Sequence, residues 1–104
     1  MNKELHISPA ANKKIPQEIQ AFIWLILKQH IPLNRYLQSF MLTKTQKDGK
    51  PAQGIRYWAE NPPNPIDYIF PTEKPVTVRE VFVLCDEQAY TILLRNDLEV
   101  NPYE

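Results

Sequence analysis

Between Ile15 and His30 apolar side chains recur at the spacing of a helix. With each residue advancing about 100 degrees around the axis, Ile15, Ile19, Phe22, Ile23, Ile26 and His30 fall on one stripe, with Leu27 on its shoulder. Pro16 suits a first helical turn, where its missing N–H is unpaired in any case, and Pro32 blocks continuation beyond His30. The wheel leaves Trp24 roughly opposite the stripe, among Gln17, Gln20, Ala21 and Lys28, with Leu25 at the far edge. An outward indole calls for a cover, and two stay open: the N-terminal segment of the same chain, or another chain, because aromatic anchors are enriched in interface hot spots.

From Tyr36 to Thr45 the period changes to two, with Phe40 and Leu42 on one face and Leu37, Met41 and Thr43 on the other, which predicts a strand. Asp48-Gly49 then signals a tight turn, since glycine takes positive φ without steric cost. A return strand is expected from about Gln53 to Glu60, with Ile55, Tyr57 and Ala59 on one face and Arg56, Trp58 and Glu60 on the other. Asn61 to Pro65 cannot donate a row of ladder hydrogen bonds and reads as a loop, and Ile66 to Phe70 between prolines reads as a short edge strand.

Leu5 and Ile7 alternate with polar neighbours, which predicts a short first strand, with Ser8 to Asn12 as a turn before the helix. Val76 to Cys85 ends in consecutive apolar residues, as expected of a central strand covered on both faces. Asp86 to Arg95 fits either a capped helix containing Ala89, Leu93 and Leu94 or an antiparallel strand with Tyr90, Ile92 and Leu94 on one face, and the β-favouring Tyr90-Thr91-Ile92 weighs towards the strand. The expected architecture is a single α+β domain over residues 1–104, one main helix packed on an antiparallel sheet of about four to six strands.

Charge and cysteine usage narrow the function classes. Twelve basic and twelve acidic residues give a formal net charge of zero, which argues against a DNA mimic and against holding nucleic acid by bulk positive charge. The one cysteine, Cys85, lies in an apolar run, so no internal disulfide forms and a reducing cytoplasm is the expected compartment. The first residues carry no signal-peptide core, and the longest apolar run, Ala21 to Leu27, is too short to span a bilayer, so no membrane association is expected.

Catalytic chemistry finds little to work with. Ser8 before Pro9 reads as a turn residue and Ser39 as a sheet residue, neither in a glycine-flanked elbow. An apolar setting disfavours the Cys85 thiolate. His30 at a helix C-terminus is accounted for by the helix dipole, and His6, His30 and Cys85 lack metal-ligand spacing. The acidic pairs Asp86-Glu87 and Asp97/Glu99 read as solvated turns, and Gly49 and Gly54 form no phosphate-cradling loop. The expectation is a protein that is not an enzyme and holds no cofactor or metal.

What remains is binding. The favoured expectation is a small protein that occupies a surface on a macromolecular protein partner, or pairs with itself as a homodimer, through Trp24 and Leu25, with Tyr57, Trp58 and the proline-rich loop as a second patch. The alternative is single-stranded nucleic-acid binding, with Trp58 stacking a base while Lys44, Lys47, Lys50 and Arg56 follow phosphates.

Ile15-Pro16-Gln17-Glu18-Ile19-Gln20, Phe22-Ile23-Trp24, Tyr36-Leu37-Gln38-Ser39-Phe40, Val81-Phe82-Val83-Leu84 and Tyr90-Thr91-Ile92-Leu93-Leu94 together resemble DUF960, a family of small Gram-positive bacterial proteins catalogued as a domain of unknown function. The similarity runs from about Ile15 to Glu99 and is one of packing residues, while the Asn61 to Pro65 segment and the Asp48-Gly49 turn look peculiar to this chain. The resemblance implies no catalytic residues. Proteins that look like this also occur on phages and plasmids, so it implies, by association, a mobile-element inhibitor of a host defence nuclease.

Overall fold

The computed structural model describes residues 4–30, 37–58 and 65–99. Six strands and three helices follow in the order β1 (Glu4–Ile7), α1 (Pro9–Lys14), α2 (Gln17–Lys28), β2 (Leu37–Lys47), β3 (Lys50–Trp58), β4 (Pro65–Pro71), β5 (Val78–Cys85), β6 (Ala89–Leu94) and α3 (Arg95–Glu99). All six strands form one sheet in the order β1-β6-β5-β2-β3-β4. This corrects the expected fold class. The chain is dominated by sheet, the sheet is mixed because β1 pairs parallel to β6, and α2 is the only one of the three described helices longer than six residues.

Local chemistry explains most of the elements. Asp48 and Gly49 take φ of 55° and 78°, the left-handed pair of a two-residue hairpin turn, and set the register that runs from Lys47 opposite Lys50 to Ser39 opposite Trp58. The segment after Ser8, expected as a turn, is helix α1. The Ser8 hydroxyl accepts from the Ala11 N–H at 3.1 Å, and Pro9 occupies a first-turn position where it costs no hydrogen bond. Pro16 then holds Ile15 in an extended conformation, φ −114° and ψ 110°, which ends α1 before α2 begins. The Asp86 carboxylate accepts from the Gln88 and Ala89 N–H groups at 2.8 and 2.7 Å and turns β5 into β6.

The core lies on one side of the sheet. Ala11, Ile15, Ile19, Ile23, Ile26 and Leu27 from α1, α2 and their junction pack against Phe40, Leu42, Ile55, Tyr57, Val81, Val83, Ile92 and Leu94. Ring contacts tie α2 to the β4 edge. Phe22 stacks on Phe70 with centroids 4.3 Å apart, and His30 lies 4.6 Å from Tyr57 with its Nε2 3.0 Å from the Tyr68 hydroxyl. Gln53, fully buried, donates to the Val76 carbonyl and accepts from the Val76 N–H, which clamps the segment before β5 onto β3.

Candidate functional site

Strand alternation divides the apolar residues between two faces. Among the residues that make up or pack against the core cluster, none comes from Leu37, Met41, Trp58, Ile69, Phe82, Leu84 or Leu93. The strand register places all seven on the opposite face, away from α1 and α2. Ile69 is 48% exposed and the other six are half-buried.

Pairing arranges this face in rows. The middle row crosses the sheet as Leu93, Phe82, Ser39, Trp58 and Pro65, one residue from each of β6, β5, β2, β3 and β4. On one side of it lie Thr91, Leu84 and Leu37. On the other, Met41 pairs with Arg56, and Arg56 with Asp67. The β2–β5 register shifts here: Phe40 faces Val81 and Leu42 faces Val78, so Arg79 and Glu80 together oppose Met41 in a β-bulge. Beside the bulge is an open depression of about 550 Å³ lined by Ser39, Met41, Trp58, Arg79, Glu80 and Phe82.

The polar row is internally paired. The Arg56 guanidinium donates from Nε and Nη2 to the two Asp67 oxygens at 2.7 and 3.1 Å, and Arg95 Nη1 donates to both Glu80 oxygens at 2.9 and 3.0 Å. The Arg56 hydrogen bond holds the Asp67 carboxyl below its ordinary range, and the same hydrogen bond, with the charge behind it, raises Arg56.

The residues singled out from sequence separate in space. Trp58 belongs to the outer face. Tyr57 does not: it is 2% exposed, its ring lies 5.0 Å from Phe40, and its hydroxyl donates to Gln38 Oε1 at 2.6 Å, so it is a core residue. Trp24 is corrected as well. It is half-buried and packs against the core cluster, whereas Leu25 is the large apolar α2 side chain that points outward, at 50% exposed. The buried side of α2 is Ile19, Ile23, Ile26 and Leu27, which turns the inward stripe towards Leu27 and brings Trp24 to its border, about 60° from Leu27 on the wheel, while Leu25 stays outside it. The proline-rich loop, apart from Pro65, lies outside the described residues, as do Ala59 and Glu60.

The basic set proposed for nucleic acid is likewise divided. Lys47, Lys50, Arg56 and Trp58 share the outer face, but Lys44 pairs with Gln53 on the opposite face, and Arg56 is occupied by Asp67. The five residues therefore do not form one platform.

Groups with catalytic potential have structural partners. Ser8 Oγ donates to Asp97 Oδ2 at 2.7 Å, and that oxygen also accepts from the Leu94 N–H at 2.8 Å, so the cap of α1 is tied to the end of β6. Cys85 is buried, with its thiol 3.7 Å from the Val83 carbonyl. Among the described residues no three His, Cys, Asp or Glu side chains gather as a metal site, and no helix is long and apolar enough to cross a membrane.

Leu37, Met41, Phe82, Leu84 and Leu93 join Trp58 on this face without having been singled out from sequence. The signal lies in Val81 to Leu84, whose consecutive apolar residues are as expected of a strand covered on both faces. β5 is interior, between β6 and β2, but the described core covers only its Val81, Val83 and Cys85 side.

Fold and face together define a small mixed-sheet domain whose helices α1 and α2 claim one side of the sheet and leave an apolar row on the other. The chain belongs to the DUF960 family, described as a staphylococcal protein of unknown function, whose model matches residues 5–97. It is similar to a solved protein of unknown function from Enterococcus faecalis, with 26% identity over 91% of this chain and 90% of that one and a TM-score of 0.70. None of the curated proteins matches this chain.

Proposed function

We propose that this is a non-enzymatic binding protein of the cytoplasm that acts by seating the outer face of its sheet on a protein surface. One observation carries the reading: six large apolar side chains, Leu37, Met41, Trp58, Phe82, Leu84 and Leu93, share one sheet face and, among the described residues, take no part in the core. Each of the six is half-buried, so a row of partly exposed apolar side chains crosses the face, and a contiguous apolar patch on a surface marks an interaction site. Its layout, aromatic and aliphatic at the centre with charged residues along one side, is that of a protein-binding surface. The single buried thiol, Cys85, supports the reducing compartment.

The test is site-specific photo-crosslinking in cells, with the reactive residue at Arg79, exposed on the rim of the depression, and a control at Gln17 on the outward side of α2. The expected result is a nuclease-resistant protein adduct from position 79 and none from position 17. Equal labelling at the two positions, or an adduct removed by nuclease, refutes the reading.

A further inference from the structure

Resting on that reading, we infer that the protein surface seated on the outer face is the same face of a second copy, related by a two-fold axis running along β2. Three features of the face support a self-complementary contact.

The first is size. The middle row spans five strands, about 24 Å, the polar row runs beside it from Arg95 to Asp67, and the third row adds Thr91, Leu84 and Leu37, so the described face projects to on the order of 400 Å². A standard interface takes roughly 600–1,000 Å² of accessible surface per partner, a range that side-chain relief above a projection of about 400 Å² approaches.

The second is shape. In the middle row the small Ser39 on β2 is flanked by Phe82 on one side and Trp58 on the other. A two-fold rotation about β2 exchanges the two sides. Phe82 of each copy then lies over Trp58 of the other, twice, with Ser39 facing Ser39, and the aligned sheets pack about 10 Å apart.

The third is charge. Crossing the polar row from β6 to β4, the groups are Arg95, Glu80, Arg56 and Asp67, in the sign order plus, minus, plus, minus, with β2 between Glu80 and Arg56. That order is antisymmetric about β2. The two-fold rotation therefore sets Glu80 over Arg56 and Arg95 over Asp67 in both directions. Arg79, beside Glu80 in the bulge, is an additional positive group at the rim. A foreign partner would meet no field of one sign here, because the charges largely neutralise one another within each copy, whereas a second copy meets every ion pair in reverse.

Sedimentation equilibrium of the full chain measures this directly. The wild type is expected at twice 12.2 kDa, or 24.4 kDa, at micromolar concentration. Phe82→Lys is expected at 12.2 kDa with an unchanged far-ultraviolet circular dichroism spectrum, and Leu25→Lys, on the helical side, stays at 24.4 kDa. The deciding arm reverses charges. Glu80→Arg and Arg56→Glu should each raise the dissociation constant about tenfold or more, while the double variant should return to within about threefold of wild type, because the row then reads plus, plus, minus, minus and still complements its rotated copy. If the pairs acted only within one copy, the double variant would be as weak as the two effects combined. A wild type that remains at 12.2 kDa at about 100 μM, or a double variant with no recovery, overturns the proposal. A 12.2 kDa wild type that still crosslinks another protein through position 79 removes the dimer and leaves the binding face standing.

Discussion

Trp24→Ala separates a core tryptophan from an adhesive one. Complete burial of a tryptophan makes its replacement by alanine cost about 3–5 kcal/mol, the sum of lost transfer energy and the cavity left behind. Trp24 is half-buried against the core cluster, so most but not all of that applies, and the expected loss is about 2–3 kcal/mol. For a domain of this length about 1 kcal/mol moves the melting midpoint by about 4–8 °C, so the variant should melt on the order of 10–15 °C lower. Leu25, one residue along and 50% exposed, is the internal comparison, since its change to alanine should stay within about 0.5 kcal/mol. Both are best measured as urea transitions in the Phe82→Lys background, where self-association does not contribute to the midpoint. Circular dichroism is the right signal, because Trp24→Ala deletes one of only two tryptophans and the fluorescence amplitudes would not compare. A Trp24→Ala midpoint matching that of Leu25→Ala would refute the core assignment and return the indole to the outside of the helix.

Gly54 on β3 faces Thr43 so closely that an added Cβ would stand 2.6 Å from the Thr43 hydroxyl and 3.4 Å from its carbonyl oxygen. Gly54→Ala should cost about 1–3 kcal/mol, and adding Thr43→Ala should recover about 1 kcal/mol or more of it, so strictly additive denaturation midpoints would contradict the close approach. The stability–pH profile should have two assignable limbs. Asp67 titrates below its ordinary range in the fold, so its ion pair with Arg56 contributes above the ordinary carboxylate pKa and is lost as pH falls through the lowered value; Asp67→Asn should flatten that acid limb. Burial raises the Tyr68 phenol, so the unfolded chain releases its proton first and stability declines as pH climbs from about 10 towards the raised value. Tyr68→Phe should remove that share of the alkaline decline, and superimposable profiles for wild type and variant would count against either assignment.

Local signals made the hairpin, the edge strand and the last strand legible. Asp48-Gly49 encodes its turn in two residues, Pro65 and Pro71 bracket β4, and the β-branched and aromatic run at residues 90–92 settled the ambiguous segment as β6. The α1 helix was also encoded, by a Ser-Pro cap and first turn, but Ser8-Pro9 carries the same residues as a turn and was read as one. Two features had no local signature. Parallel pairing of β1 with β6 joins residues more than 80 positions apart, and nothing in Leu5 or Ile7 marks the partner or its direction. The outer face was hidden for a different reason: period-two alternation shows that Phe82 and Val83 face opposite ways, but not which side the helices cover. Tyr57 shows the same limit: it alternates with Trp58, and it is the one on the covered side, where Gln38 supplies its hydroxyl with a buried partner.

The edges of the sheet bear on how this chain associates. An open strand edge invites pairing that adds strands without limit, and proteins restrain it with short strands, prolines and charges. Both edges here are restrained in that way. β1 has four residues and carries Glu4 and His6 on one side, and β4 is bracketed by Pro65 and Pro71, which have no N–H to offer a newcomer. The face shows no such restraint: Phe82, Leu84 and Leu93 are apolar at positions that the described core does not use. Chemistry that blocks the edges and leaves the face open selects for association that closes. A two-fold contact between identical faces is consumed once both copies are seated, whereas edge pairing would propagate. An apolar outer row and proline-bracketed edges are thus two halves of one physical arrangement, which permits a finite complex and suppresses an endless one.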